Sequence, residues 1–438
     1  MASETPRKTT VEPTQTSRDV AFGALRHGDY RGYLVGNLLA MMGDNVEHVI
    51  SYWVVFQTFH SPFLGGYAVI SHWLPFLLFS VYAGSLADRF DCRKLLQVSM
   101  GLFAAASIGW AVLFITGTLQ VWHAMVLLAV HGFAGVFWGP SSQLIIHDVV
   151  GRDHLQSAFR LNSTGRQLGV LLGPAVGGAL MLGFGPGLGI LLNALIYSPL
   201  AIWAFLVPYT GHMSRPAGAP PPQRPGLLDV FRVIRTVSGN RALVSMVALA
   251  GFAAVFVGNA FQAQMPEFAE DFAEEEAGGE YTVLQTAQAA GAVLGGLLLE
   301  GGGLLAPRVR TAIVCGALFG LTVAGFAASP SYLVAVGFLV LAGVMRLSFS
   351  SMAQTLVQLL APADVRGRVI GVFNMSQSGL QVGSGITVGL VGGLIGIHWS
   401  LALSALALVV ADVALLAYVY RGRGLASGEL TANEAVFR

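Results

Sequence analysis

Asp44, Glu47 and His48 stand three and four residues apart inside an apolar stretch at about 33–57. On a helix that spacing puts all three on one face. A carboxylate near the middle of such a stretch is costly unless it is protonated, hydrated or paired, so this face lines a cavity by default. Three chemistries fit the residue types. Asp44 takes up and releases a proton, with His48 as modulator or relay. Alternatively Asp44 bonds a neighbouring helix's backbone or Arg166 and only holds helices together. Or Asp44, Glu47 and His48, with His131, supply oxygen and nitrogen ligands to a metal cation. A second polar group, Asn162, Arg166 and Gln167, lies within one turn at about 158–182. Arg166 is placed to meet Asp44 or an anionic substrate group, or to snorkel toward the cytoplasm. Arg346 is read as lying toward the cytoplasmic end of its own stretch, in a substrate, gating or snorkelling role. His131 and Asp412 are lone polar groups in apolar surroundings.

The elements that must position these groups are membrane helices. The chain has 438 residues, 54% hydrophobic and 11% charged, with mean hydropathy +0.67. A soluble domain carries about 25% charged residues, so composition excludes a soluble globular protein. Twelve apolar stretches can be drawn, at about 33–57, 64–86, 95–116, 121–146, 158–182, 186–208, 242–265, 281–303, 309–328, 331–357, 367–396 and 399–420. Each is near the ~20 residues that a crossing needs. With both termini inside, the basic residues fall on the tails and the inner loops, and the longest outer loop, Glu267 to Glu280, is acidic. Apart from Arg160, Arg310 and Arg368 at the very ends of their stretches, only Arg166 and Arg346 lie inside them. The expected organisation is an all-α membrane protein of two pseudo-symmetric six-helix bundles. A cytoplasmic tail (1–30), a first bundle (31–209), a Pro-rich cytoplasmic linker (210–240), a second bundle (241–421) and a second tail (422–438) follow from it. Within the linker, Leu227 to Val237 has the pattern of an amphipathic surface helix or a solvated tether.

Other chemistry is missing from the pattern. Cys92 and Cys315 give neither a disulfide framework nor metal-ligand spacing. There is no phosphate loop, no His-Glu-x-x-His and no nucleophile elbow. The reading is a non-enzyme without cofactor, acting in a lipid bilayer on a small molecule and on protons, without nucleic acid, as a monomer. Without a phosphate loop, any transport would draw on an ion gradient or run downhill.

Three further patterns carry a resemblance. Gly84-Ser-Leu-Ala-Asp88-Arg89-Phe-Asp-Cys-Arg93-Lys94 is a charge-dense turn between the second and third stretches. Gly169, Gly173, Pro174 and Gly177 form a stripe of small residues at spacing four, with Pro174 expected to kink its helix. At an offset of 212, Gly84–Asp88 matches Gly296–Glu300, Asn162 matches Asn374, and Gly173–Gly177 matches Gly385–Gly389. With Asp29-Tyr-Arg31-Gly-Tyr-Leu-Val-Gly-Asn37, Gly43-Asp44 and Asp364-Val-Arg366-Gly-Arg368-Val, these residues resemble the major facilitator superfamily, in its drug and siderophore efflux branch. The resemblance implies a proton-coupled exporter working by alternating access. It also implies a cytoplasmic latch, in which Asp88 pairs with a neighbouring helix end and a basic residue when the outer side is closed, with Gly84 allowing close helix approach. Gly43-Asp44-Asn45 also resembles lysophospholipid transporters. A divalent metal-ion exporter on the same fold and a non-transporting membrane sensor are the remaining alternatives.

Overall fold

A computed structural model of the chain describes residues 22–151, 153–213, 235, 238–273, 277–302, 308–362 and 366–421. Most of tail 1–30, most of linker 210–240 with its candidate helix 227–237, Asp364 and tail 422–438 lie outside the described residues, as do the side chains of Glu300, Arg366 and Arg368. The described residues form helices and connecting turns. The first half of the chain gives α1 (Gly28–Phe59), α2 (Pro62–Ala87), α3 (Cys92–Thr116), α4 (Val121–Val150), α5 (Leu155–Ile196) and α6 (Ser198–Leu206). The second half gives α7 (Arg241–Phe256), α8 (Ala260–Phe272), α9 (Gly278–Gly302), α10 (Val309–Ala327) and α11 (Tyr332–Leu360). A composite α12 runs from Arg366–Ser378 to Val391–Ile395, and α13 is Ile397–Arg421. Among the described residues nine helices are long and apolar enough to cross a membrane.

Local chemistry sets the boundaries. Pro62 opens α2, where a missing N–H costs nothing. Asp91 caps α3 by accepting the Arg93 N–H at 3.0 Å. Gly117, at φ 66°, closes α3 in a left-handed conformation that a side chain disfavours. The long run α5 contains the stretch expected at 158–182 and the first part of the one expected at 186–208. Its backbone stays helical through Pro174 and leaves helical geometry at Gly185 (φ 74°, ψ 162°), just before Pro186. The acidic segment from Glu267 is also not all loop, because α8 stays helical to Phe272.

Small residues let the helices touch backbone to backbone, which replaces the hydrophobic drive that lipid does not provide. A Cβ on Gly169 would lie 2.7 Å from the Leu38 carbonyl oxygen, and one on Gly177 would lie 3.1 Å from Val49 Cβ; Gly173 abuts Asn45. The stripe therefore seats α5 against α1. In the second half Gly291, Gly295 and Gly343 do the same between α9 and α11. Outward, Phe205, Leu206, Leu333, Leu394 and Val410 are exposed, an apolar periphery suited to lipid.

The two halves of the chain meet around the end where α1 finishes and α9 begins. Tyr281 Oη donates to the Val49 carbonyl at 2.8 Å, and its ring stacks on Trp53. Gln57 Nε2 donates to Glu270 Oε1 at 2.6 Å, and Gln264 Nε2 to the Pro62 carbonyl at 2.7 Å. Gly66 of α2 packs against Gly385 and Gly389 of α12. The sequence match between Gly385–Gly389 and Gly173–Gly177 thus does not carry the same contact. A π turn over Gly385–Leu390 gives the physical reason: one inserted residue rotates the glycine face by about 100°.

Candidate functional site

The polar face of α1 is completed by α2, α3 and α4. His131 of α4 reaches both α1 carboxyls: Nε2 lies 2.8 Å from Asp44 Oδ1, and Nδ1 lies 2.8 Å from Glu47 Oε1. Each contact needs a proton between its two atoms. A neutral imidazole supplies one, so the bridge holds a second, on the ring or on a carboxyl. Two carboxylates, one imidazole and that extra proton leave a single net negative charge. Behind the bridge, Ser107 of α3 donates to the second oxygen of Glu47. Asn193 of α5 donates to the Gly43 carbonyl at 2.9 Å and to Ser107 at 3.3 Å. Glu47 and His131 keep 2% and 3% of their side chains exposed and Asp44 keeps 13%, so Asp44 is the member that solvent reaches.

His48 and His72 complete the cluster. The His48 ring centroid lies 4.8 Å from those of His72 and His131, and His48 stacks on Tyr52. One ligand atom each from Asp44, His48, His72 and His131 lies within 4.8 Å of the others. This group shares Asp44, His48 and His131 with the ligand set expected from the sequence and has His72 where that set has Glu47, which is engaged on the far nitrogen of His131. Sequence reading missed His72, Ser107 and Asn193. His72 alone carried a signal, an ionisable ring inside an apolar stretch.

The remaining candidates separate from this cluster. Arg166 is exposed and makes no hydrogen bond or ion pair among the described residues, so of its three possible roles direct pairing with Asp44 is not seen; His131 meets Asp44 instead. Asn162 Oδ1 accepts from Asn37 Nδ2 at 2.8 Å, while Asn37 Oδ1 accepts from Trp138 Nε1 at 2.9 Å, so Asn162 ties α5 to α1 and α4. Arg346 is at the middle of α11 rather than toward one end of it. It donates to Asn259 Oδ1 at 2.9 Å, at the break between α7 and α8, and does not snorkel. Asp412 is fully buried with neither carboxyl oxygen hydrogen-bonded.

The charged turn after α2 also differs from expectation. Although the halves meet at the far end, Asp88 has no side-chain partner among the described residues, and no group approaches the Cβ position of Gly84. Arg89 and Lys94 are exposed. Arg93 instead pairs with Asp91 at 2.6 Å and donates to the Val207 carbonyl at 2.7 Å. Burial pushes the Asp91 carboxyl up, but hydrogen bonds from Arg93 outweigh this and hold it below its ordinary range. The pairing that the resemblance implies for Asp88 is therefore not made in this arrangement, in which the halves meet at the far end.

The family model described as a transmembrane secretion effector (MFS_3) matches residues 19–431. The chain belongs to this efflux-type branch of the major facilitator superfamily. The methylenomycin A resistance protein of Bacillus subtilis is 26% identical over 158 residues, 34% of this chain and 34% of that protein. The staphyloferrin A transporter of Staphylococcus aureus is 21% identical over 166 residues, 38% of this chain and 42% of that protein. The matched stretches span well under two thirds of these relatives. Among solved structures, a bacterial homologue of the human lysosomal transporter Spinster, inward-facing and unoccupied, has TM-score 0.65 at 15% identity, covering 91% of this chain and 96% of that one. The nucleoside transporter NupG has TM-score 0.66 at 15% identity, covering 90% and 99%. At such identity the likeness is one of fold.

Proposed function

We propose that this multi-pass membrane protein is a secondary active transporter that exports a small amphipathic molecule, such as a drug or a siderophore, in exchange for protons. The reading has twelve spanning helices in two bundles (31–209 and 241–421), joined by linker 210–240, with both termini cytoplasmic. Support for the count is arithmetic. The nine helices selected by length and apolarity become twelve when α1 and α9 are added and the run 157–206 is divided at Gly185. The named relatives, an antibiotic resistance protein and a siderophore transporter, support the cargo class.

The observation that carries the coupling is the His131 bridge. It stores an extra proton between two carboxyls on a helix that also contacts the second half, and its solvent-reached end is Asp44. In this reading the arrangement is inward-open, since the halves meet at the outer end and the Asp88 turn is unlatched. Substrate entering from the cytoplasmic side displaces the proton, and closure of the inner end carries the substrate outward.

The test is proton release from detergent-purified protein on addition of a lipophilic cation, a siderophore or a lysophospholipid, wild type against Asp44→Asn. Ligand-specific release that disappears in the variant while binding persists is the expected result. Binding without release in the wild type would overturn coupling at this site. A second expectation concerns the latch. Asp88→Asn should leave the melting temperature of the inward-open form unchanged, because Asp88 has no side-chain partner there, yet slow turnover several-fold. Unchanged turnover, with unchanged labelling from the cytoplasmic side, would remove Asp88 from the gate.

A further inference from the structure

We propose that Asp44, His48, His72 and His131 form a binding site for a divalent transition-metal ion of the zinc type. The argument is geometric and does not depend on proton coupling. Three helices, α1, α2 and α4, bring three imidazoles and one carboxylate together with their ligand atoms within 4.8 Å of one another. In a tetrahedral zinc site, bonds of about 2.0–2.1 Å place ligand atoms roughly 3.3 Å apart. Side-chain rotations of about 1 Å close the difference without moving a helix.

Two details point to a cation. The His72 ring is 8% exposed and its Nδ1 has no hydrogen-bond partner, and no hydrogen bond reaches the His48 ring among the described residues. Buried polar atoms are normally satisfied, and a metal would satisfy the buried His72 nitrogen while also engaging the half-buried His48 ring. Second, Glu47 sits on Nδ1 of His131 and is itself held by Ser107, which fixes the ring and aims Nε2 into the cluster. A carboxylate behind a ligating histidine is the supporting arrangement that such sites use. The donor set, three nitrogens and one oxygen, favours zinc and its neighbours over magnesium or calcium, which take oxygen ligands. The ion would replace the proton now shared between His131 Nε2 and Asp44.

The experiment uses full-length protein in detergent, stripped with a chelator and titrated calorimetrically with zinc chloride, followed by zinc K-edge absorption on the 1:1 sample. One ion per chain is expected, with nitrogen and oxygen neighbours at about 2.0–2.1 Å. His72→Ala and His48→Ala are each expected to weaken binding at least tenfold, with His123→Ala, outside the cluster, as the unchanged control. If either alanine variant melts early, His72→Gln or His48→Gln takes its place. No saturable binding at micromolar zinc overturns the site, as does binding that is indifferent to both His48 and His72. Ligand-linked proton release in a protein that does not bind zinc would defeat this inference and leave the coupling reading standing. Zinc binding without such release would do the reverse.

Discussion

His131→Ala is expected to abolish uphill transport and to lower stability by about 3–5 kcal/mol, the usual cost of removing one partner from a buried charged pair. The large figure follows from what would be left behind. Glu47 is 1% exposed and would keep only the Ser107 hydroxyl, with one carboxylate oxygen facing a cavity the size of an imidazole. Asp44 would lose its one direct partner among the described residues but keep its access to solvent, so its share of the cost is smaller. A double variant separates fold from function. Glu47→Gln/His131→Ala removes the orphaned charge and should recover most of the lost melting temperature, while transport against a gradient stays absent because no bridge remains to hold the proton. Thermal melting in detergent and proton-driven uptake into inverted vesicles read the two quantities separately. If the single variant melts with the wild type and still concentrates substrate, the bridge has neither role.

The parts of this site that were legible in the sequence are those that lie along one helix. The spacing of Asp44, Glu47 and His48 puts them on one face because helical periodicity is a local property. The partner that organises them comes from 87 residues away, and nothing in local spacing distinguishes His131 from a histidine satisfied by its own surroundings. His72 was hidden for the same reason, being a single ionisable residue in an apolar stretch. The glycine stripe of α5 was legible because close helix packing selects residue size at fixed spacing. Its apparent repeat in α12 misleads because a π turn changes the face without changing the spacing in sequence. The acceptor of Arg346 was not legible, because the break at Asn259 that offers it lies 87 residues away in the chain. Asp88 has no side-chain partner among the described residues, and the two halves meet at the far end instead.

That point gives the second large effect. Gly66→Val is expected to drive the outer end open. A Cβ at Gly66 would lie 2.7 Å from the Gly385 carbonyl oxygen and 2.9 Å from Gly389 Cα. Both are backbone atoms that cannot rotate away. The two elements belong to opposite halves of the chain, so the clash exists only while those halves meet. Overpacking of this kind costs about 1–3 kcal/mol, which is about 5- to 150-fold in the ratio of the two arrangements. The ties that share this end, Tyr281 to Val49 and Gln264 to Pro62, would break with it. Gly132→Val is the contrasting variant. Its Cβ would run into the Ser71 carbonyl oxygen, but α4 and α2 lie within the same half, so the clash is present in every arrangement and should lower stability without favouring either. Spin labels on the exposed Thr58 and Ser331, in protein whose two buried cysteines have been replaced, report the outer separation by pulsed electron resonance. Gly66→Val should move weight to the longer distance and Gly132→Val should not. A folded Gly66→Val protein with the wild-type distance distribution would show that this contact yields without opening, and that the α2–α12 crossing does not control access from the outer side.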